Sequence, residues 1–255
     1  MKKILLLCVA LGLGVVTFSQ NNTNAVYSRF FTGLTMRVDY FHTGTAQEEH
    51  FSLDRVLNDG PWAGSETVLL DNLNRGSYFF KITDTLTNTL IYSRGFASIF
   101  GEWQSTGEPN WATFSESLRF PWPKLPVKLT IEKRDAKNNF VPVWSTVIDP
   151  GSRLVNPAVL KSTFKTFPYI ENGKSASHVD IVILGDGYTA AEMDKFHKDV
   201  KTLTDELFSV EPFKSRKADF NVRAVETPSA TSGVNKPHPG VFSRTPLSMS
   251  YGAFD

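Results

Sequence analysis

Five histidines, His42, His50, His178, His197 and His238, are the residues of this 255-residue chain best suited to metal or proton chemistry. A hydrolytic zinc centre built on one helix needs two histidines four residues apart. That spacing puts both imidazoles on one face, with an intervening glutamate beside the bound water. No histidine here is followed by glutamate, and no two stand four apart. No metal ligand and no catalytic residue is therefore assigned. His197, one position past Phe196, is expected on the solvated side of a helix. His178 is expected to open a strand, and His238, between Pro237 and Pro239, to sit in a loop. Nucleophilic chemistry finds no support either, because no G-x-S-x-G elbow exposes a serine.

One turn is left as a candidate: Gly185, Asp186, Gly187, Tyr188 and Thr189. It follows an apolar run and precedes a helix pattern, and ligands of α/β sheets gather at the carboxyl ends of strands. A dinucleotide loop would place a third glycine where Ala190 stands, and Asp186 would repel phosphate. Two roles stay open for these residues. They form a tight turn with Asp186 closing an Asx-type hydrogen bond, or they touch a ligand. All five tryptophans, Trp62, Trp103, Trp111, Trp122 and Trp144, fall in the first 150 residues. Trp144 alternates with Phe140 and Ile148 and is expected in a core. Trp103 and Trp111 flank the loop at 107–110, where exposed rings would stack on sugars.

The elements that must position these residues come in two kinds. From about residue 26 to 150 the pattern is β. Leu34-Thr35-Met36-Arg37-Val38-Asp39-Tyr40 and Val127-Lys128-Leu129-Thr130-Ile131-Glu132-Lys133 alternate with the period of half-buried strands. Further short strands are expected at 66–71, 77–83, 89–94, 112–120 and 140–148, bounded by turn residues, which favours an all-β sandwich. Helical character is expected only as a turn near 53–57. Residues 151–177 read as a linker. At Val179-Asp180-Ile181-Val182-Ile183-Leu184 a nearly continuous apolar run predicts a strand covered on both faces. Thr189 and Glu192 have capping-box spacing, and Met193, Phe196, Val200, Leu203 and Leu207 draw one helical stripe that Pro212 ends. Phe220 to Val225 is a second strand, so 178–255 opens with a βαβ unit. One such unit cannot cover a parallel sheet, so a fragment or a natural truncation of an α/β domain is expected.

Met1-Lys2-Lys3, the apolar stretch 4–16, and small residues at Thr17 and Ser19 form a signal peptide over 1–19. The stretch is too short for a bilayer, which takes roughly 20 apolar residues. A secreted, periplasmic or cell-surface location is expected, with 20–150 as the sandwich domain. The only cysteine, Cys8, lies in that leader, so no disulfide can brace the mature chain. Formal charge is +1 and falls to −1 without Lys2 and Lys3, which gives no basis for nucleic acid or anionic membrane as partner. No later segment has the length to span a membrane.

The run from His178 through Leu184-Gly185-Asp186-Gly187-Tyr188-Thr189, then Glu192, Phe220-Asn221-Val222 and 229–234, resembles the opening of the IgA-peptidase-type zinc metallopeptidase family. The β region before it is similar to that family's N-terminal sandwich. The resemblance covers most of the chain beyond the leader. It implies a secreted peptidase whose zinc, held by His-Glu-x-x-His and a later acidic residue, activates water against protein or peptide substrates. Those ligands follow the matched region, so none is carried over, no cofactor is assigned to this chain, and it is expected to be inactive alone. A second reading is a non-enzymatic sandwich protein that binds a glycan or a protein partner.

Overall fold

The computed structural model describes residues 21–108 and 110–252, and the expected leader lies outside them. A helix, α1 (Asn21–Phe30), leads into β1 (Phe31–Gly44) and β2 (Glu49–Pro61). Next come β3 (Tyr78–Asp84), β4 (Leu90–Phe96), a short α2 (Ile99–Gln104), β5 (Ala112–Pro123), β6 (Val127–Arg134) and β7 (Phe140–Ile148). β8 (Val155–Val159), β9 (Thr166–Ile170), β10 (Val179–Leu184), α3 (Met193–Leu207) and β11 (Phe220–Val225) follow. The chain is mostly β.

Two four-stranded sheets, ordered β5-β1-β2-β8 and β4-β3-β6-β7, share one hydrophobic core. The period of two explains how. Met36, Val38 and Tyr40 of β1 and Leu118, Phe120 and Trp122 of β5 point to the same side. They meet Tyr78, Phe80 and Ile82 of β3 and Val127, Leu129 and Ile131 of β6. Each such side chain contributes roughly 1.5–3 kcal/mol by leaving water. This layered packing is what a sandwich requires.

Several local expectations give way to identifiable causes. The polar segment from residue 21, expected as a tail, is helical, because Tyr27 and Phe31, one helical turn apart, pack on each other at 5.6 Å and enter the core. The suspected turn near 53–57 is continuous strand. Asp39 pairs with Arg55 but Tyr40 pairs with Leu53, so the bulge skips Asp54 and shifts the alternation. Residues 66–71 are not a strand: only Leu69 is buried there, and side-chain hydrogen bonds hold the segment as a loop. α2 is too short to show a helical period, and Ser98 caps it by accepting from the Gly101 amide.

The third sheet has the order β10-β11-β9. β10 and β11 run parallel, from Val179 opposite Phe220 to Leu184 opposite Val225, with α3 between them in sequence. Its core is small: Phe196, Val200 and Ala224, flanked by Tyr169, Ile183, Tyr188 and Met193. Residues 151–177, expected as a linker, carry two strands. β8 pairs with β2 in the first sheet, and β9 pairs antiparallel with β11 in the third. β10 is an edge among the described residues, and Val179, Val182 and Leu184 are exposed rather than covered on both sides. On α3 the buried line is Phe196, Val200 and Thr204, successive steps of four, while Leu203 of the expected stripe faces outward.

Candidate functional site

The turn after β10 holds together much of the loop-rich chain that follows β11. Gly187 has φ +75°, and a Cβ there would come within 2.9 Å of the Gly233 carbonyl carbon and of Val234 Cγ1. Glycine is therefore required both by conformation and by close approach. The Gly187 amide donates to Ser229 Oγ at 3.1 Å, the Ser229 amide to the Tyr188 carbonyl at 2.7 Å, and the Gly233 amide to the Gly187 carbonyl at 2.8 Å. Thr227 Oγ1 donates to the Gly185 carbonyl. Asp186 does not turn back on its own turn. Its carboxylate accepts from Thr245 Oγ1 at 2.6 Å, the Leu247 amide at 3.1 Å and the Met249 amide at 3.2 Å. Charge-assisted acceptors of this kind hold backbone firmly. Asp186 is a clamp on 245–249.

Tyr188 and Thr189 tie the same turn to α3. Tyr188 donates its hydroxyl to Asp199 at 2.9 Å and packs its ring 5.3 Å from Phe196. The Thr189 amide and hydroxyl donate to Glu192 Oε2 at 2.8 and 2.9 Å, the reciprocal half of a capping box. The other Glu192 oxygen accepts from Ser232 at 2.9 Å. Gly185 through Thr189 thus join β10, α3 and the segments 227–234 and 245–249 at the carboxyl end of the parallel strands.

The histidines do not converge. His197 is only partly exposed: its Nε2 lies 2.7 Å from Glu226 Oε1, its ring lies 4.6 Å from Phe167, and its Nδ1 is buried without a hydrogen-bond partner. His178 precedes β10 and hydrogen-bonds at 3.1 Å with the Lys174 carbonyl. His238 is exposed in a turn closed by the Gly240 amide on the Pro237 carbonyl. His50 is exposed and stacks on Trp111, the most open tryptophan at 59%. Trp103 is half-buried, packed on Phe100 and Phe114, with its indole N–H donating to Glu108 at 3.1 Å. Trp144 packs against the sandwich core. Among the described residues, no three His, Cys, Asp or Glu side chains are grouped to hold a metal ion.

The most concentrated titratable cluster is one that motif reading passes over. His42 is fully buried at the end of β1, its ring stacked between Phe51 at 4.0 Å and Phe100 at 3.9 Å. Its Nε2 is 3.0 Å from Glu49 Oε2, and its Nδ1 is 3.2 Å from both Glu116 Oε2 and Ser98 Oγ. Tyr78 donates to Glu49 at 2.7 Å and Lys133 pairs with it at 2.9 Å. Tyr40 and Ser98 donate to Glu116 at 2.8 and 2.7 Å, joined by the Phe100 amide at 3.2 Å. Both ring nitrogens face ionised carboxylates, which only accept, so both must carry hydrogens. As an imidazolium, the form that both carboxylates favour, His42 together with Lys133 balances Glu49 and Glu116.

Burial opposes the charge on His42, but its hydrogen bonds to Glu116 and Glu49 outweigh that and raise its pKa above 6.5. Burial likewise opposes ionisation of Glu49 and Glu116, yet His42 with Lys133 and Tyr78, or with Ser98, Phe100 and Tyr40, pulls each down to about 2. The histidine's contribution to stability is complete below 6.5 and is lost as pH rises through its raised value. The glutamates contribute fully above 4.5 and lose that contribution as pH falls towards about 2. Urea midpoints measured across pH should therefore peak between 4.5 and 6.5 and decline on both sides. A midpoint still climbing at pH 9 would show that His42 folds as the neutral ring.

His42 lies on the inward series Met36, Val38, Tyr40, and that alternation alone could have marked it as buried. Its partner Glu116 stands on β5, and no sequence spacing announces that pairing. With its histidine fully buried and its charges internally balanced, the cluster is suited to holding the fold.

Among the described residues, no helix is long and apolar enough to cross a membrane. Residues 26–145 match the family model described as Peptidase M64 N-terminus, and residues 168–255 match the one described as IgA Peptidase M64. No curated protein matches the chain.

Proposed function

The chain belongs to the M64 peptidase family, and from that premise we propose that it is the N-terminal portion of an exported zinc metallopeptidase acting on protein substrates. The single observation that carries this is the order of the two matches, an accessory region over 26–145 and then the start of the peptidase domain over 168–255. The boundaries fit the two separate cores, one in the paired sheets and one around Phe196. On this reading β10, α3 and β11 are the opening βαβ unit of an α/β peptidase domain. The basic, apolar and small-residue order of 1–19 supports export, and Edman sequencing of the exported protein beginning at Gln20 would check it.

Zinc, which the family implies, does not fit the residues described. The five histidines are dispersed, and among the described residues no three His, Cys, Asp or Glu side chains are arranged to hold a metal ion. No hydrolytic step is therefore derived for these residues. What they supply is position: the turn from Gly185 to Thr189 anchors two downstream segments at the strand ends, where an α/β fold presents its ligand. We expect the 255-residue chain neither to bind zinc stoichiometrically nor to cleave casein. Calorimetric zinc titration beside a casein digest tests this. One tightly bound zinc per chain, with hydrolysis abolished by a chelator, would overturn it.

A further inference from the structure

Residues 156–168 are all exposed, and within them 160–165 belong to no strand or helix. β8 ends on one side of this stretch and pairs with β2 in the first sheet. β9 begins on the other and pairs with β11 in the third. No strand is shared between the paired sheets and the third, and the two cores have no residue in common. A break within 160–165 therefore costs neither sheet a strand.

Susceptibility to cleavage depends on burial and on how the backbone is held. Among the described residues, Leu160, Lys161 and Thr163 make no hydrogen bond, and the Ser162 hydroxyl bonds only to Phe164, two positions on. From Lys165 onward the chain is fixed again, since the Lys165 carbonyl accepts from the Glu226 amide at 2.9 Å and Thr166 starts β9. The bond between Lys161 and Ser162 is left without such restraint.

Exposed basic residues elsewhere sit on backbone that is folded on itself or tied down. Lys214 and Arg216 lie in successive turns, where their amides donate to the Val210 and Phe213 carbonyls at 2.8 and 3.2 Å, and Arg216 pairs with Asp219 at 2.6 Å. Arg75 lies in the loop 62–77, where Arg134 donates to the Asn74 and Gly76 carbonyls at 2.6 and 2.7 Å. The Lys137 amide donates to Asp135 at 2.8 Å in the turn between β6 and β7. An endopeptidase reaches such bonds only through local opening, and its rate falls with the population of the open form.

Charge selects the class of enzyme. Lys161 and Lys165 are the only charged side chains between Arg153 and Glu171. A protease with a carboxylate at the base of its substrate pocket takes lysine as its partner, and no acidic neighbour on this stretch competes for the ammonium. We propose that the Lys161–Ser162 bond is a processing site at which an endopeptidase of that specificity divides the chain. The hydroxyl of water joins the Lys161 carbonyl carbon, and its remaining hydrogen passes to the Ser162 nitrogen as the C–N bond breaks. The products are the sandwich with β8 complete and the part that follows with β9 complete. This does not rest on the peptidase assignment.

The test digests the full chain under native conditions with a trace of trypsin and sequences the new amino termini as they appear. Beyond the leader, Ser162 should come first. Lys161→Gln should slow loss of the full chain about tenfold or more, because the remaining sites wait on local opening. Arg216→Gln should leave the rate unchanged. On gel filtration the fragment ending at Lys161 should elute alone and keep a cooperative melt. The proposal is overturned if cleavage begins elsewhere, if Lys161→Gln is cut as fast as the parent chain, or if the two fragments stay together.

Discussion

Glu116→Gln is expected to cost the chain about 3–5 kcal/mol, the range for removing one partner from a buried ion pair. The amide keeps the shape of the side chain but removes a charge that His42, Ser98, Tyr40 and the Phe100 amide all address. An imidazolium locked between two phenyl rings is then left with one carboxylate, Glu49, which Lys133 also uses. Urea denaturation at pH 6, with an unchanged slope and a lower midpoint, reads the effect as stability alone. The pair His42→Phe with Glu116→Leu should recover part of the loss, because both charges of that pair go together and Glu49 keeps Lys133, while the Tyr40, Ser98 and Phe100 donors still lose their acceptor. A double-mutant cycle separates this coupling from cavity effects. A loss under about 1 kcal/mol for Glu116→Gln would mean that the charge carries little weight, as at exposed pairs.

The two halves of the chain differ in how much of them could be read from sequence. Alternation marked β1 and β6, which keep one face in the core, and bounding turn residues marked β3, β4, β5 and β7. It failed where that physical basis lapses. The bulge at Asp54 changes the phase of β2, and the loop at 62–77 is held by arginine and aspartate side chains instead of a ladder. β8 and β9 are short and carry Pro157 and Pro168, so they resemble connectors until their partners β2 and β11 are seen. The turn from Gly185 to Thr189 was legible as a turn from its glycines and capping box. What it holds was not, since the residues Asp186 contacts lie 59 to 63 positions away. The His42 cluster failed for the same reason: its alternation gives burial, but only tertiary pairing of β1 with β5 supplies Glu116.

Phe196→Ala is expected to unfold the smaller core while leaving the paired sheets intact. Large-to-small substitution of a buried phenylalanine costs about 3–5 kcal/mol, and the cluster it belongs to among the described residues is small, with Phe196, Val200 and Ala224. A loss of that size has few other contacts to absorb it. The ring also backs the turn: a Cβ on Gly185 would lie 3.0 Å from it, and Tyr188 packs against it at 5.3 Å. Losing it should release Asp186 from the Leu247 and Met249 amides. Hydrogen exchange should show protection disappearing at β10, β11 and 245–249 while β1 and β6 keep theirs, because the two clusters share no residue. If 245–249 stayed protected in the variant, the clamp would have to be held by something other than the turn on α3. Uniform loss across β1 and β6 would show that the two cores fold as one unit. Selective loss ties the geometry at the strand ends to one aromatic side chain on the face of α3.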